Sequence, residues 1–209
     1  MPALSLRRAG FRAAPSGPTS VICAGREFMI RPVAPSDRGA FRAGFERLGE
    51  TSRYRRFLSP MDRLTNAQLD YLTNVDQHDH VALVAVDPAD GEEILGVARF
   101  VRTSDRVAEP AIAIADHWQG KGLGTALFQA LTSRALEEGV ERFDALILAE
   151  NEPILRLLSR AGAMQQRRTG ADLEVEVSLS GSRAMDGARL RCVRKARRAT
   201  TRRRRGERS

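Results

Sequence analysis

Three glycines lie at alternate positions in the segment DHWQGKGLGTAL, residues 116–127. Gly120, Gly122 and Gly124 are followed by an apolar run with helical spacing. Glycine is costly in backbone entropy, so several together are expected where another group must approach the backbone closely. Because the loop leads from a predicted strand into a predicted helix, its N–H groups and the helix dipole favour an anion, such as a pyrophosphate. A tight turn that needs only small residues is the alternative.

Common nucleotide motifs and metal sites do not match this pattern. Lys121 is not followed by Ser or Thr and the GxxxxGK spacing is absent, which argues against a P-loop. The third glycine of a GxGxxG dinucleotide motif is also missing. The histidines and cysteines show no ligand spacing, so we expect no metal.

The elements that must position the loop alternate between strands and helices. HVALVAV is a continuous apolar run, typical of a strand buried on both faces. Residues 81–86 and 94–101 predict a hairpin around Asp90 and Gly91. With the flanking segments the predicted order is β-α-α-β-β-β-α-β-α-β-β. The fold class is α/β (α+β): one domain with a mixed central sheet of about seven strands flanked by about four helices.

Charge is distributed unevenly and separates the chain into three parts. Residues 1–25 contain three arginines and no acid, whereas residues 26–180 contain 19 basic and 24 acidic residues. Residues 181–209 contain 12 basic and two acidic residues. We therefore predict a disordered leader, a folded domain and a disordered Arg-rich tail. No apolar run is long enough to cross a membrane, and we expect a cytoplasmic protein.

A longer segment around the glycines has a family signature. Gln119 begins a Gln-x-x-Gly-x-Gly motif that ends at Gly124, and an Asn-headed helix follows the next strand in AENEPILRLLSRAGA. This part of the chain resembles the GNAT superfamily of N-acetyltransferases. It is most similar to the bacterial Pat-type, protein lysine acetyltransferase-like subgroup, and the resemblance covers most of residues 26–180.

The resemblance implies acetyl-CoA as co-substrate, held where two strands of the sheet splay apart. The signature amides would hold the pyrophosphate, and the pantetheine arm would pair with the preceding strand. Asn151 would contact the cofactor, or simply cap its helix. The implied cofactor-binding residues are Ile112, Ala113, Ile114, Gln119, Gly120, Lys121, Gly122, Leu123, Gly124, Thr125 and Asn151.

The resemblance also implies a base and a missing acid. Glu109 matches an acidic residue of the Pat-like subgroup and would take a proton from the acceptor amine, directly or through a water. An exposed edge glutamate is the alternative. Many superfamily members have a tyrosine as general acid where this chain has Leu158, and the Pat-like subgroup also tends to lack it.

The implied function is acetyl transfer to a primary amine, on a small molecule or a protein lysine. Arg53, Arg55, Arg56 and Arg63 form a basic patch that would recruit an acidic acceptor or contact the cofactor's 3′-phosphate. Two alternatives stay open: a non-catalytic acyl-CoA-binding regulatory module, and a nucleic-acid-associated protein whose tail makes nonspecific contacts. We expect no regulation through a fused cyclic-nucleotide domain. The sequence does not predict an oligomeric state.

Overall fold

A computed structural model describes residues 17–89 and 93–179, together with the backbone of residues 190–192. Most of the predicted leader and tail, and the hairpin tip at Asp90 and Gly91, lie outside the described residues.

Nine strands form a single mixed sheet. They are β1 (Thr19–Cys23), β2 (Arg26–Pro32), β3 (His80–Val86), β4 (Ile94–Ser104), β5 (Val107–Ile114), β6 (Arg142–Leu148), β7 (Gly162–Thr169), β8 (Asp172–Leu179) and β9 (Leu190–Cys192). Their order is β7-β8-β6-β5-β4-β3-β2-β1-β9. The β5–β6 and β1–β9 pairs are parallel, and all other neighbours are antiparallel.

Five α-helices cover the sheet: α1 (Arg38–Arg47), α2 (Glu50–Phe57), α3 (Asn66–Thr73), α4 (Leu123–Glu137) and α5 (Glu152–Ala161). Thr65 caps α3 through a reciprocal pair of hydrogen bonds with Gln68. Gly139 follows the end of α4 with a φ of 79°, the left-handed geometry expected of a glycine after a helix.

The two faces of β3 explain its unbroken apolar sequence. Val81, Leu83 and Ala85 belong to the core under α4, whereas Ala82, Val84 and Val86 belong to a second core under α1 and α3. Successive side chains of a strand point to opposite faces, so a strand between two helical layers is apolar throughout. The predicted strand buried on both faces and its hairpin with β4 are confirmed.

The α/β fold is confirmed with two more strands and one more helix than the sequence predicted. Helix α2 has no fully buried residue, so its sequence shows no apolar stripe. Gly49 follows the end of α1 and is the N-cap of α2.

The folded part also extends beyond the predicted boundaries. Strand β1 lies within residues 1–25, where Val21 and Cys23 are fully buried. The three residues of β9 lie within residues 181–209 and pair with β1. Both strands are short and surrounded by residues of low hydrophobicity, so periodicity did not reveal them.

Candidate active site

Strands β5 and β6 separate soon after they begin to pair. They are joined only at Val107–Arg142 and Ala108–Phe143, although β5 continues to Ile114. Strand β4 pairs with β5 along its other edge. From Glu109 onward, no strand of the described residues pairs with the β6-facing edge of β5. The predicted contacts Ile112, Ala113 and Ile114 lie on this stretch, whose backbone can pair with an extended ligand.

The glycine loop leads from β5 to the N-terminus of α4. Gly120 and Gly122 have φ values of 68° and 93°, which favour glycine. The backbone hydrogen bonds of the described residues include none donated by the amides of residues 120–125, and the first donor of α4 is Ala126, 3.1 Å from the Gly122 carbonyl oxygen. Unpaired amides combine here with the positive end of the helix dipole. The arrangement suits an anion.

The Gln119 side chain fixes this loop from within. Its Nε2 donates to the Ile114 carbonyl oxygen at 3.1 Å and to Asp116 Oδ1 at 2.9 Å. Asp116 Oδ2 in turn accepts the Gly49 amide at 2.9 Å, at the start of α2. The Gln119 amide group therefore positions the loop against β5 and α2, which differs from direct cofactor contact.

Lys121 lies over an aromatic ring. Its Nζ is 4.8 Å from the ring centroid of Trp118, which is buried and packs edge-on against Phe28. This cation–π contact holds the ammonium beside the loop. Leu123 is fully buried, so only its backbone can meet a ligand.

Helix α5 begins after Asn151, a predicted cofactor contact, and carries Arg160, which contacts the start of α4. Asn151 is the N-cap of α5 but makes no side-chain capping hydrogen bond. The predicted alternative, simple capping, is therefore wrong, and the side-chain amide remains available. Arg160 Nη1 donates to Thr125 Oγ1 at 3.3 Å and adds a positive charge to the loop. Sequence reasoning missed Arg160, because the contact joins helices 35 residues apart.

Glu109 and Leu158 lie in contrasting environments. Glu109 is exposed on β5, where the strand leaves β6. Leu158 is fully buried in the core under α4. Its side chain is apolar and cannot protonate a thiolate.

A pocket with about 590 Å³ of open space lies between α1, α2 and strands β4 and β5. Phe41, Phe45 and Leu72 form part of its wall. Arg56 and Arg99 are its charged lining residues, and Arg99 was not among the predicted residues. The arginines of the predicted basic patch therefore have different surroundings. Arg56 lines the pocket, whereas Arg53 stacks on Phe45 and donates to the Glu46 carbonyl oxygen at 2.9 Å.

Burial changes the ionisation of the groups beside this pocket. Arg99 is almost fully buried, and burial together with the charge of Arg56 lowers its pKa to about 10. Its Nη1 donates to His80 Nε2 at 3.0 Å. Burial, aided by the Arg99 charge, lowers the pKa of His80 to about 4. His80 is therefore neutral at physiological pH and accepts this hydrogen bond.

In residues 17–89 and 93–179, no cluster of three or more His, Cys, Asp or Glu side chains could hold a metal ion. None of the helices that the structure describes is long and apolar enough to cross a membrane.

Comparison with known proteins settles the family. The model of the acetyltransferase (GNAT) domain matches residues 27–164. The chain belongs to the GNAT acetyltransferase family. It is 35% identical to acetyltransferase Pat of Mycolicibacterium smegmatis over 157 residues, 74% of this chain and 46% of Pat. It is 32% identical to acetyltransferase PA5475 of Pseudomonas aeruginosa over 145 residues, 68% of this chain and 78% of that protein.

Solved structures agree with this assignment. The GNAT domain of S. lividans PAT superposes with a TM-score of 0.71 at 26% identity, covering 78% of this chain and 97% of that one. A Salmonella typhimurium acetyltransferase solved with its cofactor acetyl-CoA shares the fold, with a TM-score of 0.56 at 21% identity, over 77% of this chain and 99% of that one. The expected GNAT domain and its fold agree with these findings. The chain spans about half the length of Pat.

Proposed function

We propose that this protein transfers the acetyl group of acetyl-CoA to a primary amine. The observation that carries the proposal is the set of amides at residues 120–125 without a backbone partner, in the loop that follows the open edge of β5. A diphosphate on the loop and an amide-containing arm along β5 would use both features, since each offers backbone hydrogen-bonding groups. Lys121 lies in the loop and Arg160 contacts Thr125, so both charges would add to phosphate binding, and we keep Asn151 as a further proposed contact.

The chemical step requires a neutral amine. An alkylamine with a pKa of about 10.4 is mostly protonated at neutral pH, so a proton must leave before nitrogen attacks the thioester carbonyl. Glu109 is the proposed base, acting directly or through a water. Acetyl-CoA supplies the activated acyl group, and the thiolate is an adequate leaving group that solvent can protonate.

We propose that the pocket between α1, α2, β4 and β5 receives the acceptor amine, and we call it the acceptor pocket. It borders Ala113 and Ala115 at the end of β5, on the side of α1 and α2. A protein lysine is one candidate acceptor, supported by the resemblance to the Pat-type subgroup, and a small amine is the other.

Two measurements on the full chain test the proposal. Calorimetric titration with acetyl-CoA is expected to show saturable binding at one site per chain. Thiol release is then followed with acetyl-CoA and a panel of small amines and a lysine-rich protein. Acetyl-CoA binding without thiol release on any amine would favour the acyl-CoA-binding module instead, and absence of binding would contradict both functions.

A further inference from the structure

The acceptor pocket combines apolar walls with two arginines. Apart from Arg56 and Arg99, every residue that lines it is apolar or glycine. Charged groups are strongly disfavoured in such surroundings unless they are paired. The chemistry of the two guanidinium groups therefore indicates what the pocket holds.

The hydrogen bonds of the two arginines leave several donors unused. Arg99 donates to the Leu72 carbonyl oxygen at 2.9 Å and to His80 Nε2 at 3.0 Å, whereas a guanidinium has five N–H donors. The described hydrogen bonds and ion pairs include none made by the Arg56 side chain, whose guanidinium carbon lies 4.8 Å from the Phe57 ring centroid. Arg56 is partly buried in the pocket wall.

The electrostatic balance of the site is positive. Burial lowers the pKa of Arg56, and the neighbouring charge of Glu109 acts in the opposite direction. Arg56 and Arg99 line the same pocket, so their like charges repel each other, and burial together with the charge of Arg56 lowers the pKa of Arg99. The lining contains these two cations and no acidic residue, so it carries a net positive charge.

We propose that the acceptor is a small α-amino acid-like molecule whose carboxylate binds Arg56 and Arg99 and whose apolar side chain fills the pocket. This rests on the proposed acetyl transfer. A carboxylate matches the planar fork of a guanidinium, and its charge relieves the repulsion between the arginines. Arg99 pairs with Ala111 on β5, so Glu109, two residues earlier, lies on the same face of the sheet as Arg99. An amine held towards Glu109 and a carboxylate held by the arginines therefore fit one small molecule. Phe41, Phe45 and Leu72 provide the apolar wall.

Three matched amines separate the contribution of the carboxylate from that of the apolar body. L-leucine, L-leucinamide and isopentylamine are supplied with acetyl-CoA, and thiol release gives kcat/KM. Leucine is expected to exceed the other two by about 10- to 100-fold, since a hydrogen bond to a charged group is of that order. Leucinamide is the less basic amine and loses its proton more easily, so a preference for leucine reports the carboxylate.

Variants locate the preference at the pocket. Arg56→Gln is expected to raise KM for leucine and to remove most of its advantage over leucinamide, whereas Arg56→Lys keeps part of it. Arg42→Gln is the control, because Arg42 is exposed on α1 and does not line the pocket. Thermal unfolding of each variant shows that it is folded.

Binding gives a second readout that does not require turnover. N-acetyl-L-leucine is expected to bind more tightly than N-acetyl-L-leucinamide in calorimetry, and Arg56→Gln is expected to abolish the difference. Equal binding of the two compounds, equal kcat/KM for leucine and leucinamide, or a lysine-containing peptide preferred over leucine would overturn the inference. Each of these leaves the proposed acetyl transfer intact, whereas failure to bind acetyl-CoA would refute that function itself.

Discussion

Glu109 occupies an exposed position on β5, at the point where β5 and β6 part. We expect Glu109→Gln to lower kcat by about 10²- to 10⁴-fold, because a positioned base has that effect on proton transfer. The Kd for acetyl-CoA should change little, since the amides proposed to bind the diphosphate lie at residues 120–125. We call these amides the diphosphate cradle. Thiol release and calorimetry on the same preparation measure both quantities.

The exposed Glu46 on α1 provides the matched control for this substitution. Glu46→Gln removes the same charge without touching the open edge of β5, and it should leave kcat unchanged. An undiminished kcat in Glu109→Gln would assign the base to another group or to solvent.

His80 makes the stability of the fold depend on pH. Its pKa is lowered from 6.5 to about 4 by burial and by Arg99, so the unfolded chain takes up a proton more readily than the folded chain. Stability is therefore complete above pH 6.5 and decreases as the pH falls towards 4. The unfolding midpoint should fall between pH 7 and pH 5 by several degrees, in line with a change of about 1 kcal/mol in a domain of this size.

His80→Gln isolates this effect, because the glutamine oxygen can still accept from Arg99 but does not titrate. The variant should lose less stability than the wild type over the same interval. Asp37, which pairs with Arg31 at 2.7 Å, does not confound the comparison. Its pKa is lowered from 3.8, so the stability that this ion pair contributes is lost only at a pH below the interval measured. If the unfolding midpoints of the two proteins fell equally between pH 7 and pH 5, the role of His80 would be refuted.

Single residues differ in how visible they are in the sequence. The loop glycines stand out because they alternate between a strand and a helix, whereas Asn151 was predicted only through the family resemblance. Arg99 and Arg160 were not, because their roles depend on contacts with His80 and Thr125 across the fold. Asp116 was missed for the same reason, since it accepts from Gly49 at a separation of 67 residues.

At the scale of elements, the N-terminus of α4 and the hairpin between β7 and β8 offer a matched pair of glycines. Gly120 and Gly170 have φ values of 68° and 66°, and an added Cβ would meet no atom within 4 Å at either position. Replacement by alanine should destabilise each variant by about 1–2 kcal/mol, the usual cost of the left-handed conformation. Only Gly120→Ala should also weaken acetyl-CoA binding, because its Cβ enters the proposed cradle.

Thermal unfolding and calorimetric titration of the two variants separate these effects. Equal Kd values for acetyl-CoA in Gly120→Ala and Gly170→Ala would show that the loop amides do not bind the diphosphate. Equal losses of stability with unequal Kd values would support the cradle and exclude general loosening of the fold as the cause.

Helices and strands could be predicted from the sequence where packing on the core gives apolar residues a regular spacing. Strand β3 and helix α4 carry continuous or striped apolar residues because each packs on the core. Helix α2 carries no such signal, although it borders the pocket through Arg56 and Phe57. It is held partly by Asp116, whose carboxylate accepts the Gly49 amide and the Ser52 hydroxyl, a cap supplied from a distant loop.

At the scale of the whole molecule, the basic C-terminal part of the chain begins beside an edge of the sheet. Strand β9 pairs with β1, and β1 to β4 separate it from the open edge of β5. Residues 193–209 carry nine basic residues and one acidic residue, a net charge of +8, equal to the net charge of the entire chain. Removing them leaves a chain of net charge near zero while β9 stays in place.

We propose that residues 193–209 provide any nonspecific nucleic-acid contact. Truncation after residue 192 should abolish binding to a random DNA duplex at low salt. For the full chain, log K should fall with log salt concentration by about 0.9 for each phosphate contacted. Acetyl-CoA affinity and thiol release should be unchanged, because the cut lies at the far edge of the sheet.

A truncation after residue 180 would also remove β9 and expose the edge of β1, so loss of activity in that variant would reflect lost stability. DNA binding that survived the cut after residue 192 would place the contact on the folded domain instead.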